Sequence, residues 1–202
     1  MSLNLESPTA VTDGRNLRRD RNRQDIVDAL LALYESGEIE VSAAQIAKRA
    51  DLSERSLFRY FTDVDDLYRA AFDSQFERIK GFAKISAFGH GTLNEKVGHF
   101  VEQRLRLFNA IGNIGRASRA LAHRNPLIQD LLHKSRLDLR QQTVRHFRTE
   151  LTELPKAERV GAVAAIEVLC SYESFDLMRR DQGLSAAATK SALSVAINKI
   201  FN

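Results

Sequence analysis

The 202-residue sequence has one cysteine, three prolines and no tryptophan. A lone Cys170 cannot form a disulfide within the chain, and so few prolines leave room for long uninterrupted helices. The longest apolar stretch, GAVAAIEVLC, contains Glu167 and is too short to span a bilayer. The first fourteen residues lack the apolar core of a signal peptide. We therefore expect a cytoplasmic protein without a membrane segment.

Positive charge is in modest excess, with a net charge of +4 and 28% charged residues. Residues 15–24 hold five arginines against Asp20, and residues 101–160 hold 12 Lys and Arg against 6 Asp and Glu. Because two distant segments share the excess, charge alone marks no single site. A polyanionic partner is favoured, and a solvated basic surface is an equally good interpretation.

Apolar residues recur at intervals of three and four along the whole chain, and no alternating strand pattern of useful length occurs. This periodicity predicts an all-α fold. We expect a flexible arm over residues 1–14, a three-helix helix-turn-helix domain over 15–74, and a larger helical domain over 75–202. Predicted helices cover 16–36, about 42–50, 54–61, 63–83, 93–111, a short helix over 116–124 after the glycine-broken GNIG, 126–153, 156–182 and 186–201.

Two short, strongly marked helices stand next to each other. In VSAAQI, Ser42 has the N-cap position and Gln45 the third helical position of a capping box. Ser53 is the N-cap of the next helix, 54–61, which follows a turn over 51–53. Two capped helices joined by three residues predict a helix-turn-helix.

The second of these helices, within SERSLFRYF, has two different sides. At 100° per residue, Leu57, Phe58 and Phe61 fall together and would bury a helix too short to be stable alone. The opposite side carries hydrogen-bond donors: Arg55, Ser56, Arg59 and Tyr60. Arginine can pair with guanine in the major groove, and hydroxyl groups suit phosphate oxygens. A solvated amphipathic helix is the alternative.

The stretch VSAAQIAKRADLSERSLFRYFTDVDDLYRAAF, residues 41–72, resembles the DNA-binding signature of TetR-family transcriptional regulators. The matching positions are Ile46-Ala47, the Leu-aromatic-x-aromatic-Phe of 57–61, and Leu67. The resemblance implies a homodimeric repressor that binds double-stranded operator DNA. It further implies a second domain that binds a small-molecule effector and dimerises through its last two helices, about 156–201.

By position in this signature, the expected DNA-contacting residues are Ser42, Ser53, Arg55, Ser56, Arg59 and Tyr60. The arm arginines Arg15, Arg18 and Arg19 would reach phosphates or the minor groove, with a solubilising role as the alternative. Three positions depart from the family pattern. Asp51 replaces a turn glycine, and aspartate tolerates the left-handed backbone. Phe58 replaces a phosphate-contacting tyrosine, and Val64 replaces a lysine.

In the second domain, the candidate effector-binding residues are Phe100, Arg104, Phe108 and His123. For the two phenylalanines core packing is the first interpretation and pocket lining the second, because pockets in helical bundles are themselves mostly apolar. The segment 161–178 is apolar around much of its circumference, and the last helix carries Leu193 and Ile197. We expect these helices to form the dimer interface, with ordinary core packing as the alternative.

The sequence contains weaker patterns for other functions. No two of the five histidines have i,i+4 spacing and no HExxH occurs, so we expect no metal, no cofactor and no catalytic residue. A helical enzyme would need converging carboxylates, for which Glu102, Glu150 and Glu167 are the candidates. A nucleoid-type DNA-binding protein without an effector is the remaining alternative.

Overall fold

The computed structural model describes residues 9–202, with side chains from residue 16 onward. Every regular element within these residues is a helix, which confirms the all-α prediction. The chain divides into two compact units, the first ending at Phe76 and the second comprising Glu77–Asn202. None of the described helices is both long enough and apolar enough to cross a membrane.

The first unit contains α1 (Thr9–Glu35), α2 (Ala43–Arg49), α3 (Glu54–Tyr60) and most of α4 (Val64–Ile79). Helix α1 begins at Thr9, so residues 9–14 are helical rather than part of a flexible arm, and residues 1–8 lie outside the described residues. No proline follows Pro8 until Pro126, and Gly14 alone costs a helix only about 1 kcal/mol.

The turn between α2 and α3 forms as its sequence predicts. The Ser42 hydroxyl accepts the Gln45 N–H, and the Gln45 side chain accepts the Ser42 N–H at 2.8 Å, which closes the capping box. The Ser53 hydroxyl accepts the Ser56 N–H at 3.2 Å. Between them, Asp51 has a φ of 55°. The aspartate therefore adopts the left-handed backbone for which glycine is the usual residue.

The core of the first unit lies where α1, α2, α3 and α4 meet. Its most buried apolar side chains come from all four helices: Ile26, Leu30, Leu31, Ile46, Leu57, Phe61 and Leu67. Helix α4 starts with Asp63 as its cap, since the Asp66 N–H donates to the Asp63 carboxylate at 2.7 Å. It ends at Ile79, and a 3₁₀ turn over Lys80–Ala83 replaces the last turn of the predicted helix 63–83.

The second unit contains α5 (Leu93–Ala122), α6 (Pro126–His146), α7 (Arg148–Glu153), α8 (Arg159–Leu169), α9 (Tyr172–Asp176), a π-helical turn (Leu177–Asp181) and α10 (Ala186–Phe201). Asn125 caps α6 and Ser185 caps α10, as predicted. Helix α5 bends at Gly112, whose φ of 50° and ψ of −136° are not helical. The Tyr172 hydroxyl donates to the Gly112 carbonyl that this bend releases.

Two predicted long helices are each interrupted. The predicted helix 126–153 breaks at Phe147, whose fully buried ring packs against Phe100 and Phe201. The predicted helix 156–182 breaks after Leu169, because Ser171 accepts the Ser174 N–H and starts a new helix. In the first case the break accompanies core packing, and in the second a local hydroxyl competes with the helix backbone.

Candidate nucleic-acid interface and effector-domain residues

Helix α3 buries a narrow stripe and exposes the rest of its surface. Leu57 and Phe61, one turn apart, are 2% and 1% exposed. Phe58 is 47% exposed, so its predicted place in the buried set is wrong. In a helix of seven residues only the i,i+4 pair faces the core, and Phe58 lies 100° further round. Its ring therefore joins the exposed surface of α3.

The end of α3 is fixed by Arg23 of α1. Its guanidinium donates to the Tyr60 carbonyl at 3.0 Å and to the Asp66 carboxylate at 2.8 Å. It also lies 4.3 Å from the centre of the Phe61 ring. Sequence reasoning missed this role, since the only signal was an opposite charge 43 residues away. One side chain thus connects α1, α3 and the first turn of α4.

Tyr60 is held at its hydroxyl group. The oxygen accepts from Asn22 Nδ2 at 2.7 Å and from Arg59 Nη2 at 3.2 Å. The Arg59 guanidinium also lies 5.3 Å from the centre of the Tyr60 ring. These hydrogen bonds, first that from Asn22 and then that from Arg59, hold the pKa of Tyr60 below its usual value. Two donors stabilise the ionised phenol more than the neutral one.

The two exposed arginines of α3 differ in their surroundings. The Arg59 side chain is bonded to Tyr60, whereas the Arg55 guanidinium makes no hydrogen bond or ion pair with any residue in the described part of the chain. A guanidinium without protein partners keeps all five donors for a ligand. Arg55 also lies in the first turn of α3, the part of a recognition helix that contacts base edges.

Two of the three serines of the predicted interface cap helices, and the third bonds to one of these caps. Ser42 and Ser53 are exposed N-caps, and Ser56 bonds to Ser53 through both its N–H and its hydroxyl. The Ser42 hydroxyl additionally donates to the Gln45 side chain at 2.8 Å. Much of the hydrogen-bonding capacity of these hydroxyl groups is therefore used within the turn.

Arginines of the predicted arm belong to α1. Arg18 and Arg19 are exposed on this helix. The Arg15 side chain lies outside the described side chains. A helix fixes the spacing of such residues, so contacts with DNA by Arg18 and Arg19 would come from one rigid element.

In the second unit, Arg104 is a buried charge among neutral partners. It is 1% exposed and donates to the side-chain oxygens of Gln103 and Gln142, both at 2.6 Å. It also donates to the Leu139 carbonyl and the Thr143 hydroxyl. Burial lowers the pKa of Arg104 to about 10, and the nearby Glu167 carboxylate opposes this shift. The guanidinium is therefore charged at neutral pH.

Of the other effector candidates, Phe100 lies beside Arg104, and Phe108 and His123 do not join this pair. The Phe100 ring centre lies 4.4 Å from the Arg104 guanidinium, but Phe100 is fully buried in the core. Phe108 is buried against Tyr172 and Phe175. His123 is exposed at the end of α5. The structure thus brings together Phe100 and Arg104 and separates His123 from them.

The three carboxylates considered for an enzyme each have a separate partner. Glu102 pairs with Lys190 at 2.9 Å and the buried Glu150 with Lys96 at 2.8 Å. Glu167 accepts from the Thr143 hydroxyl. Among the described residues, no group of three or more His, Cys, Asp or Glu side chains could hold a metal ion.

A helix-turn-helix unit followed by a second helical unit is an architecture of DNA-binding transcriptional regulators. Residues 26–71 match the family model described as bacterial regulatory proteins, tetR family. The helix-turn-helix part of the chain is therefore a DNA-binding domain of the TetR family.

Similar proteins agree with this assignment. The chain is 30% identical over 123 residues to the HTH-type transcriptional repressor KstR of Mycolicibacterium smegmatis, a match that covers 60% of this chain and 53% of that protein. It therefore spans about half the length of this curated relative. A TetR-family regulator from Streptomyces coelicolor has a TM-score of 0.70 at 19% identity, over 90% of this chain and 80% of the other. One from Marinobacter aquaeolei has a TM-score of 0.57 at 22% identity, over 92% and 96%.

Proposed function

We propose that the protein is a cytoplasmic, homodimeric repressor that binds operator DNA through α3 and is released by a small molecule bound in the second unit. The observation that carries the DNA-binding proposal is Arg55. It is exposed on the recognition helix, and the described residues leave its guanidinium without a partner. The similarity to a repressor supports the direction of regulation.

Within this proposal different residues of α3 contact bases and phosphates. Arg55 reads a base, because a free guanidinium can donate two parallel bonds to guanine. Arg59 and Tyr60, bonded to each other, contact the phosphate backbone and set the orientation of the helix. Ser42, Ser53 and Ser56 offer hydroxyl groups to phosphates from the turn, and Arg18 and Arg19 add contacts from α1.

A dimer interface is supported by an exposed apolar surface on α8 and α10. Val160, Val168 and Val195 are 70%, 67% and 54% exposed. Leu193 and Ile197, which the sequence pattern predicted in this interface, belong instead to the core of the chain itself, so the proposed interface uses the two helices without these residues. A second protomer would remove the exposed valines from water.

The proposed effector site lies at Arg104 and Phe100 of α5. Arg104 with Phe100 offers a buried cation and an aromatic ring, the combination of few polar groups among apolar ones that ligand sites in helical bundles use. Phe108 and His123 have no demonstrated connection to this pair. A nucleoid-type protein without effector remains the second candidate, and operator release by a ligand distinguishes the two.

The proposed function is tested by selecting DNA sequences with the purified protein and repeating the selection with Arg55→Ala. We expect a palindromic site for the parent. The variant should lose roughly 1–3 kcal/mol of binding and become tolerant at one position in each half-site. Arg59→Ala is the matched control, and it should weaken binding on all sequences alike. An unchanged base preference in Arg55→Ala would remove Arg55 from the reading role.

A further inference from the structure

The Tyr60 hydroxyl is fully used as an acceptor. A hydroxyl group has two lone pairs and one hydrogen. Asn22 Nδ2 and Arg59 Nη2 both donate to its oxygen, at 2.7 and 3.2 Å. Neither of these nitrogen atoms can accept a hydrogen bond in return. The hydroxyl hydrogen is therefore left for a third partner.

We propose that Asn22 is a positioning residue for DNA binding, which orients the Tyr60 hydroxyl so that its hydrogen is donated to a phosphate oxygen of the DNA backbone. This inference rests on the proposed function. Asn22 lies in α1 and does not itself contact DNA in this scheme. It acts on DNA binding through Tyr60 of the recognition helix.

Two consecutive residues of α1 hold opposite ends of Tyr60. Arg23 donates to its backbone carbonyl at 3.0 Å, and Asn22 donates to its hydroxyl. The ring is thus fixed at both ends relative to α1. A hydrogen bond to a DNA phosphate forms only when the donor lies opposite a phosphate oxygen. A phenol that is already fixed in this position loses less conformational entropy on binding.

Arg59 makes the same group more attractive to an anion. Its guanidinium donates to the Tyr60 hydroxyl with one nitrogen and has other N–H groups that remain available. A hydroxyl hydrogen and a cation side by side suit two oxygens of one phosphate. The lowered pKa of Tyr60 agrees with this, because a more acidic phenol is a stronger donor.

The first experiment measures the hydroxyl network without DNA. The pKa of Tyr60 is followed by NMR in protein labelled at the tyrosine Cζ, with Tyr60→Phe identifying the signal. Asn22→Ala should raise this pKa toward the ordinary value of 10.0. Asn22→Asp should raise it further, since a carboxylate can only accept and would take the Tyr60 hydrogen. Gln24→Ala is the matched control, because Gln24 bonds to Asp28 and Ser74 and not to α3.

The second experiment measures operator binding against salt. Asn22→Ala should weaken binding by roughly tenfold per half-site, as expected for the loss of one hydrogen bond to a charged group. The slope of log K against log salt should stay close to that of the parent, because a neutral hydroxyl donor neutralises no phosphate charge. In a Tyr60→Phe background, Asn22→Ala should have no further effect, because its action passes through the hydroxyl.

Three results would overturn the proposal. Additive effects of Asn22→Ala and Tyr60→Phe would show that Asn22 acts elsewhere. An unchanged operator affinity in Asn22→Ala, with unfolding temperatures equal to the parent, would show that no phosphate contact depends on it. A Tyr60 pKa unmoved by Asn22→Ala would remove the hydrogen bond itself. Failure of the parent to prefer any DNA sequence would instead contradict the proposed function, and the pKa result would still report on the network.

Discussion

Arg23 Nη2 lies 2.8 Å from Asp66 Oδ1, and through this pair α1 is connected to the first turn of α4 on either side of the recognition helix. The Asp66 carboxylate also accepts the Thr62 N–H at 3.2 Å. The two side chains are 36% and 29% exposed, so solvent screens their attraction. We expect the pair to contribute about 1 kcal/mol, at the upper end for partly exposed ion pairs.

The first prediction concerns acid. The hydrogen bond from Arg23, followed by that from Thr62, holds the pKa of Asp66 below its usual value of 3.8. A carboxylate with a depressed folded-state pKa stabilises the protein above 3.8, and the contribution is lost as pH falls through the lower folded-state value. Asp66→Asn should therefore be less stable than the parent at pH 7 by about 1 kcal/mol, and the gap should narrow and close as pH falls below the usual value of 3.8. Urea unfolding at several pH values measures this difference, and a constant gap would contradict it.

Much of the helix-turn-helix could be predicted because its signals are local. The Ser42–Gln45 capping box and the Ser53 cap each depend on residues three positions apart. The resemblance to the TetR family places Asp51 where a turn glycine is usual, and aspartate is among the few residues that tolerate the left-handed backbone found there. Such signals act within one turn of helix, so the sequence alone carries them.

The rest depends on contacts between distant residues. Phe58 has the character of a core residue, yet α3 is too short to bury a second stripe. The break at Phe147 accompanies packing with Phe100 and Phe201, both more than 40 residues away in sequence. Arg23 could be identified as basic but not as the partner of Tyr60 and Asp66. Periodicity indicates which side of a helix is apolar. It does not indicate which other helix packs against that side.

The second prediction concerns close packing at the bend of α5. A Cβ on Gly115 would lie 2.5 Å from Ile111 Cγ2 and 2.7 Å from Tyr172 Cε2. Both neighbours are packed, and Tyr172 is additionally bonded to the Gly112 carbonyl. Gly115→Ala should therefore destabilise the protein by about 1–3 kcal/mol, as overpacking does. Thermal unfolding measures the change.

Gly98 is the matched control within the same helix. A Cβ there would meet nothing within 4 Å. Gly98→Ala should stabilise the protein by roughly 0.5–1 kcal/mol, because alanine loses less backbone entropy in a helix. If both substitutions destabilised the protein, the cause would be the replacement of glycine within α5 and not the close contact with Tyr172.

The third prediction concerns dimerisation. Val168 is 67% exposed on α8, so Val168→Arg should leave the folded protomer intact. In the proposed dimer two such arginines would be buried near a two-fold axis without partners, at a cost of several kcal/mol. Sedimentation should show a dimer for the parent and a monomer for the variant.

Val144→Arg is the control for this experiment, since Val144 is 41% exposed on α6, outside the proposed interface. It should sediment as the parent does. Ile197 cannot serve as the test, because it is fully buried in the core of the chain, and an arginine there would disrupt the protomer itself. A dimeric Val168→Arg protein would place the interface on another surface.

The fourth prediction concerns the segment that follows α4. The Gln103 side chain donates to the Phe82 carbonyl at 3.2 Å, and the Gln142 side chain donates to the Ala83 carbonyl at 2.7 Å. Arg104 fixes both amides by donating to their oxygens. The 3₁₀ turn over residues 80–83, which continues directly from α4, is therefore held by one buried cation through two amides. A ligand that displaced Arg104 would release this turn.

Gln142→Met removes one of the two amides with little change in volume. We expect faster amide hydrogen exchange in residues 80–85, because the Ala83 carbonyl loses its partner. If the turn also holds α4 in its DNA-binding position, operator affinity should fall by about 1 kcal/mol, at the low end of allosteric coupling energies. Gln141→Met is the control, as Gln141 accepts only from Arg145 on the exposed side of α6. Faster exchange with unchanged operator affinity would show that the turn is not coupled to the recognition helix, and that effector release must pass through another connection.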